Sequence, residues 1–402
     1  MHPERKRRRK GALEKISNNT KISGLASFLN DASSEMIFPL LPFFLVNILG
    51  APVLAVGLME SLGEFAMAIS AFISGLYSDN IGARKRIIIT GYSISAFFKG
   101  MLVLAAGWPQ VILFKISDRI GKGVREPPRD ALMALSEKKE HLGQAFGFRK
   151  LMDNGGAVLG PLIATFIIVF FFNNSPNEEN YRLLFLVALV PSLLSVLVLF
   201  FLRDSQTHKK MPAVSIKKIV DDKETVHFAL LMGLFALANF SMMFYLLRAN
   251  EFVPLVMIPV IYLAYNAAYL FFAVPAGALM DQIGAKKTIF LGMVLFMCSL
   301  ALMAFVPVAE AALIAFILAG CYMAIIETIP LAFLAKKTGD GSYAASIGFY
   351  RAVVGMAALP ANLIAGLLWG ITLLGSPVAF LFSLAAAAVG AAVFWLSVKN
   401  GR

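Results

Sequence analysis

Gly75-Leu76-Tyr77-Ser78-Asp79-Asn80-Ile81-Gly82-Ala83-Arg84-Lys85-Arg86 has a second copy in Gly277-Ala278-Leu279-Met280-Asp281-Gln282-Ile283-Gly284-Ala285-Lys286-Lys287, 202 residues further on. Gly, Asp, Gly and a basic pair recur in one register, and each copy stands between two apolar runs of helix length. An offset of half the chain predicts two homologous halves, and in so apolar a chain it points to a transporter. The stretch reads as the end of one membrane helix and the start of the next. Gly75 and Gly277 allow close helix approach, Gly82 and Gly284 permit a tight turn, and Asp79 and Asp281 face a cation or a helix N-terminus. Arg84, Lys85 and Arg86 hold the first loop on the cytoplasmic side.

Working outward, the composition agrees. The chain has 402 residues, 59% of them apolar and 15% charged, with a net charge of +12. Its apolar runs reach about 20 residues, enough to cross ~30 Å of hydrocarbon. The basic residues sit in short loops and in the tail Arg5-Lys6-Arg7-Arg8-Arg9-Lys10, which reads as an anchor near anionic lipid. No zinc-finger spacing, phosphate-binding loop or basic–aromatic surface accompanies them, so nucleic acid is not an expected partner. Cys298 and Cys321 lie in apolar runs and read as small core residues. The four His lie in the tail, loops or a helix start, so no metal site and no cofactor are expected.

The fold class expected is all-α: a polytopic membrane protein with twelve spans in two pseudo-symmetric six-helix halves. The spans are placed at 21–48, 53–78, 86–107, 109–134, 143–172, 181–202, 226–248, 253–280, 288–307, 310–335, 343–371 and 374–398. The organisation is a basic cytoplasmic tail at 1–20, halves at 21–202 and 226–398, and an inter-half cytoplasmic loop at 203–225, with a short amphipathic helix near Ile216–Val220. Loop Lys and Arg fall on one side, leaving Arg182 and Arg248 on the other, so both termini are expected in the cytoplasm. A second pair of markers supports the repeat: Gly147-Phe148 with Gly348-Phe349, and Leu162-Ile163-Ala164 with Leu363-Ile364-Ala365.

A charge at mid-bilayer costs at least ~2.5–3.5 kcal/mol and reads first as functional. Asp31 and Glu35 share one face of the first span, and Asp31 lies ~15 Å in at 1.5 Å per residue. Glu60 and Glu64 repeat that spacing on the second span. The third carries Lys99, the fourth Lys115, Asp118, Arg119, Arg125, Arg129 and Asp130, the fifth Arg149, Lys150 and Asp153. The second half keeps Glu327 and Arg351, with Arg248 near the end of the seventh span. Asp31, Glu35, Glu64 and Arg119 are the candidates for proton coupling. Asn30, Glu60, Lys99, Arg149, Asp153, Asn239, Tyr262, Tyr265, Asn266 and Tyr269 are candidates for a solute cavity. Gly75, Asp79, Gly82, Arg84, Arg129, Asp130, Gly277, Asp281, Gly284, Lys286, Glu327 and Arg351 form the expected cytoplasmic gate, with Arg84–Asp130, Asp79–Arg129 and Glu327–Arg351 as pairs. The competing readings are a static ion network for the charges and a packing stripe for the tyrosines.

The repeated loop resembles the signature G-x-L-x-D-x-x-G-x-[RK] of the major facilitator superfamily, with Tyr77 and Asn80 departing from it. Arg119 with Gly123 resembles that family's R-x-x-x-G element, which implies a proton-coupling role for Arg119. Gly156-Ala157-Val158-Leu159-Gly160-Pro161 resembles the family's antiporter bend, with Ala164 in place of its last Gly. More narrowly, Asn30–Met36, Asp118–Leu132 and Phe146-Gly147-Phe148 resemble a bacterial subgroup with mostly unassigned substrates. The resemblance implies a monomeric secondary transporter in the inner membrane. It would move a small organic solute by alternating access with protons, drug or metabolite efflux being favoured. A non-transporting receptor and a lipid flippase on the same fold are the alternatives. No nucleophile–base set marks an enzyme.

Overall fold

The computed structural model describes residues 16–138, 141–172, 176–204, 222–337, 343–371 and 375–398. The basic tail, most of the 203–225 loop and the short helix expected near Ile216–Val220 lie outside them. The described residues are helical, with no strand among them. In chain order the helices are α1 (Asn18–Ile37), α2 (Leu41–Phe43), α3 (Val53–Ile81), α4 (Arg84–Val103), α5 (Trp108–Ser136), α6 (Leu142–Phe171) and α7 (Glu178–Leu199). They continue as α8 (Lys223–Ala236), α9 (Met242–Ala249), α10 (Ile258–Ile283), α11 (Ala285–Phe305), α12 (Ala309–Lys337), α13 (Tyr343–Ile371) and α14 (Pro377–Ser397).

Nine described helices are long and apolar enough to cross a membrane. The other three expected spans fall short for identifiable reasons. The first, expected as one helix over 21–48, is interrupted after Ile37. It resumes as α2 and a π-helical turn, Phe44–Ile48. Pro39 and Pro42 supply the cause, since neither can donate a helical hydrogen bond. The fourth, α5, carries eight charged residues, too many for an apolar span. The seventh, expected over 226–248, is split between α8 and α9 at residues 237–241. The eighth begins at Ile258, after a 3₁₀ turn at Leu255–Met257, rather than at 253.

Packing divides the chain into two compact units. One comprises Met1–Ile37, Ala66–Ile167 and Ser175–Met211, and the other Phe38–Phe65, Ile168–Asn174 and Pro212–Arg402. In the first unit Ala26, Ile88, Tyr92, Leu132, Leu199 and Leu202 form a buried cluster. Small residues set its helix spacings. A Cβ at Gly121 would stand 2.7 Å from the Gly91 carbonyl oxygen, so α4 and α5 touch backbone to backbone there. The second unit has an aromatic interior, with Phe296 and Tyr322 rings 4.5 Å apart and Tyr245 and Phe380 5.0 Å apart. Cys321 is half-buried there, but Cys298 is exposed on α11 and is not a core residue.

The two copies of the repeated loop share one backbone device. Gly82 and Gly284 have φ of 73° and 87°, a region that L side chains avoid. Their N–H groups donate to the carbonyls of Ser78 and Met280, at 3.0 and 2.9 Å. Helices α3 and α10 therefore end in the same C-terminal cap.

Candidate functional site

In the first unit the chemistry gathers where α1, α4, α5 and α6 meet. The spacing of Asp118, Lys122, Arg125 and Arg129 puts them on one face of α5. Tyr92, Ser95 and Lys99 do the same on α4. The α5 face is extensively bonded. Arg125 donates to Ser95 Oγ at 2.5 Å, and its guanidinium lies 4.5 Å over the Tyr92 ring. Arg129 donates to Ser27 Oγ and Tyr92 Oη at 3.0 and 3.1 Å. Lys99, buried to 1% exposure, donates to Asn30 Oδ1 at 3.1 Å. Lys115 and Asp118 pair at 3.7 Å, and Arg119 also acts on Asp118.

Asp130 pairs with Arg149 at 2.7 Å and with Arg129 at 3.4 Å. Arg149 reaches one turn along α6 to Asp153 at 3.5 Å. Asp31 lies among these groups: the charges acting most strongly on it are Asp153, Lys122, Arg125 and Arg129. The α6 backbone comes close because of two glycines. A Cβ at Gly156 would meet the Phe28 carbonyl oxygen at 2.5 Å and Asp31 Cβ at 3.0 Å, and one at Gly160 would meet Glu35 Cβ at 2.8 Å. The bend motif thus seats α6 directly on the Asp31–Glu35 face.

The second unit holds a cavity of about 300 Å³ at the break between α8 and α9. Glu60, Glu64, Asn239 and Tyr265 lie on its wall, as do Ser241 and Asn362. Ser241 caps α9, accepting from the Met243 N–H at 3.2 Å. Its own N–H donates to Asn362 Oδ1 at 2.6 Å, and its hydroxyl to Glu60 Oε2 at 2.8 Å. Irregular backbone at membrane depth is tolerated where such partners satisfy it beside a cavity. A larger hollow of about 490 Å³ lies at the start of α8, beside Lys223, Glu224 and His227, and shares none of these residues.

The remaining expected residues are dispersed. Tyr262 is buried, stacked between Phe38 at 5.3 Å and Tyr265 at 5.7 Å. Asn266 is half-buried on α10. Tyr269 donates its hydroxyl to Glu327 at 2.5 Å, while Arg351 is exposed on α13. Arg84 is buried, and Gly75 packs near Pro127 of α5. Asp281 is exposed on the last turn of α10, Gly277 lies one turn earlier, and Lys286 Nζ stands 4.7 Å from the Trp395 ring. The Asp79 side chain, and with it the expected pair to Arg129, lies outside the described residues.

Sequence reasoning passed over Tyr92, Ser95, Lys122, Ser241 and Asn362, and it read Lys115, Asp118 and Arg125 as charges inside a span without giving them a place in a site. The 118–122–125–129 helical period was there to find the α5 face. Ser241 carries only the weak local signal of an N-cap residue type and Asn362 carries none, since only the fold brings them together. Among the described residues no group of three or more His, Cys, Asp or Glu is placed to hold a metal.

Comparison with known proteins agrees with this architecture. A profile described as Major Facilitator Superfamily matches residues 24–258. An uncharacterised MFS-type transporter of Methanocaldococcus jannaschii is 34% identical over 368 residues, covering 89% of this chain and 90% of that protein. The multidrug resistance protein MdtH of Photorhabdus laumondii is 29% identical over 137 residues, 34% of each chain. In fold, the chain is similar to the nucleoside transporter NupG, with TM-score 0.79, 12% identity and coverage of 95% of this chain and 100% of that one. A D-xylose-proton symporter superposes with TM-score 0.76 and 14% identity, covering 95% and 97%.

Proposed function

The chain belongs to the Major Facilitator Superfamily, and on that premise we propose that it is a proton-coupled secondary transporter that moves a small organic solute by alternating access. The observation that carries this reading is Asp31. It is a carboxyl deep in an expected span, seated against glycines of α6, with Lys122, Arg125, Arg129 and Asp153 acting on it. Burial favours a neutral carboxyl and a near cation favours the carboxylate. Movement of Arg119, or of the Lys122–Arg129 face, relative to Asp31 and Glu35 would therefore load and release a proton, with Glu64 the next carboxyl in line. The repeated Gly-Asp-Gly loops and the Asp130–Arg149 pair belong to the gate in this reading. Efflux is the favoured direction, supported by the partial match to MdtH and by the antiporter-like bend. The protein acts as a monomer in the inner membrane with both termini cytoplasmic, and catalyses no reaction.

The test uses everted membrane vesicles with ethidium as the transported probe, after a thermal-shift screen of amines, sugars and nucleosides has ranked solutes. Wild-type protein should accumulate the probe only under an imposed pH gradient. Asp31→Asn should lose about tenfold or more of this uphill transport while retaining exchange. Full gradient-driven transport in both Asp31→Asn and Glu35→Gln would make these acids structural.

A further inference from the structure

The cavity of the second unit has a chemistry of its own. Glu60 and Glu64 stand one turn apart on α3 and both reach its wall. Glu60 is only 6% exposed, and its hydrogen bond from Ser241 turns it toward the broken backbone between α8 and α9. Further polar groups on the wall come from Asn239 and from Asn362, whose amide accepts from the Ser241 N–H and donates to the Ala358 carbonyl. Much of the remaining wall is aromatic: Phe240, Tyr245, Tyr265, Phe296 and Tyr322. Among the described lining residues there is no Lys, Arg or His. Two carboxyls, ring faces and no lining cation make a site that attracts positive charge and repels negative charge. Its volume, about 300 Å³, is at the small end of ligand pockets and fits a compact single-ring molecule.

We infer that this cavity binds a compact organic cation, an aromatic or alkyl amine whose ammonium group sits at Glu60 and Glu64 and whose apolar body lies against the tyrosine and phenylalanine rings. The inference rests on the transporter reading and names the substrate class for it. The Ser241 and Asn362 side chains would act as positioning residues, because they hold Glu60 and the start of α9 in place. A sugar would leave the ring faces idle, and an anion would meet two carboxyls.

The test is calorimetric binding to the purified full chain in detergent. Three probes share one size and differ in charge: 2-phenylethylammonium, 2-phenylethanol and phenylacetate. The ammonium should bind about tenfold or more tighter than the alcohol, with no binding by phenylacetate. Glu60→Gln with Glu64→Gln should bring the ammonium and alcohol to within about twofold of each other. Gln keeps the shape of Glu and an acceptor for Ser241, and the probe series on the unaltered protein needs no variant at all. Equal binding of ammonium and alcohol would overturn the inference. So would a cation preference that survives the double substitution, or no ammonium binding up to about 10 mM. Gradient-driven transport of ethidium without this preference would sink the cation site and leave the transporter reading standing. A clear preference without any flux would do the reverse.

Discussion

Glu137 stands just past the end of α5, outside the spans, and receives the Ser17 N–H at 2.7 Å and the Thr20 hydroxyl at 2.6 Å. Burial alone would raise its carboxyl, but the hydrogen bonds from Thr20 and Ser17 outweigh it and hold it below the ordinary value of 4.5. A depressed carboxyl contributes stability that is complete above the unfolded value and is lost as pH falls through the folded one. Thermal midpoints in detergent, followed from about pH 7 to about pH 3, should show wild type above Glu137→Gln at neutral pH. The gap should close as acid protonates Glu137, and a constant gap would contradict the assignment. Single residues were unequally legible. The acids on α1 and the glycines of α6 declared themselves by spacing. The α5 face that acts on Asp31 needed the helical period to be drawn, and Asn362 needed the fold.

Helices α8 and α9 show what a hydropathy reading misses. Residues 226–248 look like one apolar run, and no Pro or Gly marks the break at 237–241. The break is held by tertiary partners instead: Ser241 N–H on Asn362, and Ser241 hydroxyl on Glu60. The break in the first span, by contrast, is written in Pro39 and Pro42, and the expectation of one helix over 21–48 underweighted them. Asn362→Leu removes the acceptor of the Ser241 N–H and should destabilise the protein by ~1–3 kcal/mol, seen as a lower thermal midpoint in detergent. An unchanged midpoint would mean that the interrupted helix stands without this bond. Leu359 adds to the same region by accepting from the Ser61 hydroxyl at 3.0 Å.

At the scale of the whole chain, the doubled loop was the most informative signal, because Gly82 and Gly284 needed the same backbone conformation for the same reason. Loop charge predicts that a phosphatase reporter fused after Arg402 is inactive and that a cytoplasmic fluorescent reporter there is active; phosphatase activity would invert the topology. The grouping of residues 38–65 with the later part of the chain was not legible, since it depends on contacts such as Gly366 against Leu54, where a Cβ would stand 2.9 Å from the Leu54 Cα. That grouping also sets a clock. Glu60 is synthesised 181 residues before its partner Ser241, and Ser61 298 residues before Leu359. At ~5–20 residues per second the ribosome delivers those partners about 9–36 s and 15–60 s later. During biosynthesis the second span therefore precedes the Ser241 and Leu359 groups that bond it, and the compact unit to which it belongs is assembled only after the helices through α13 have been made.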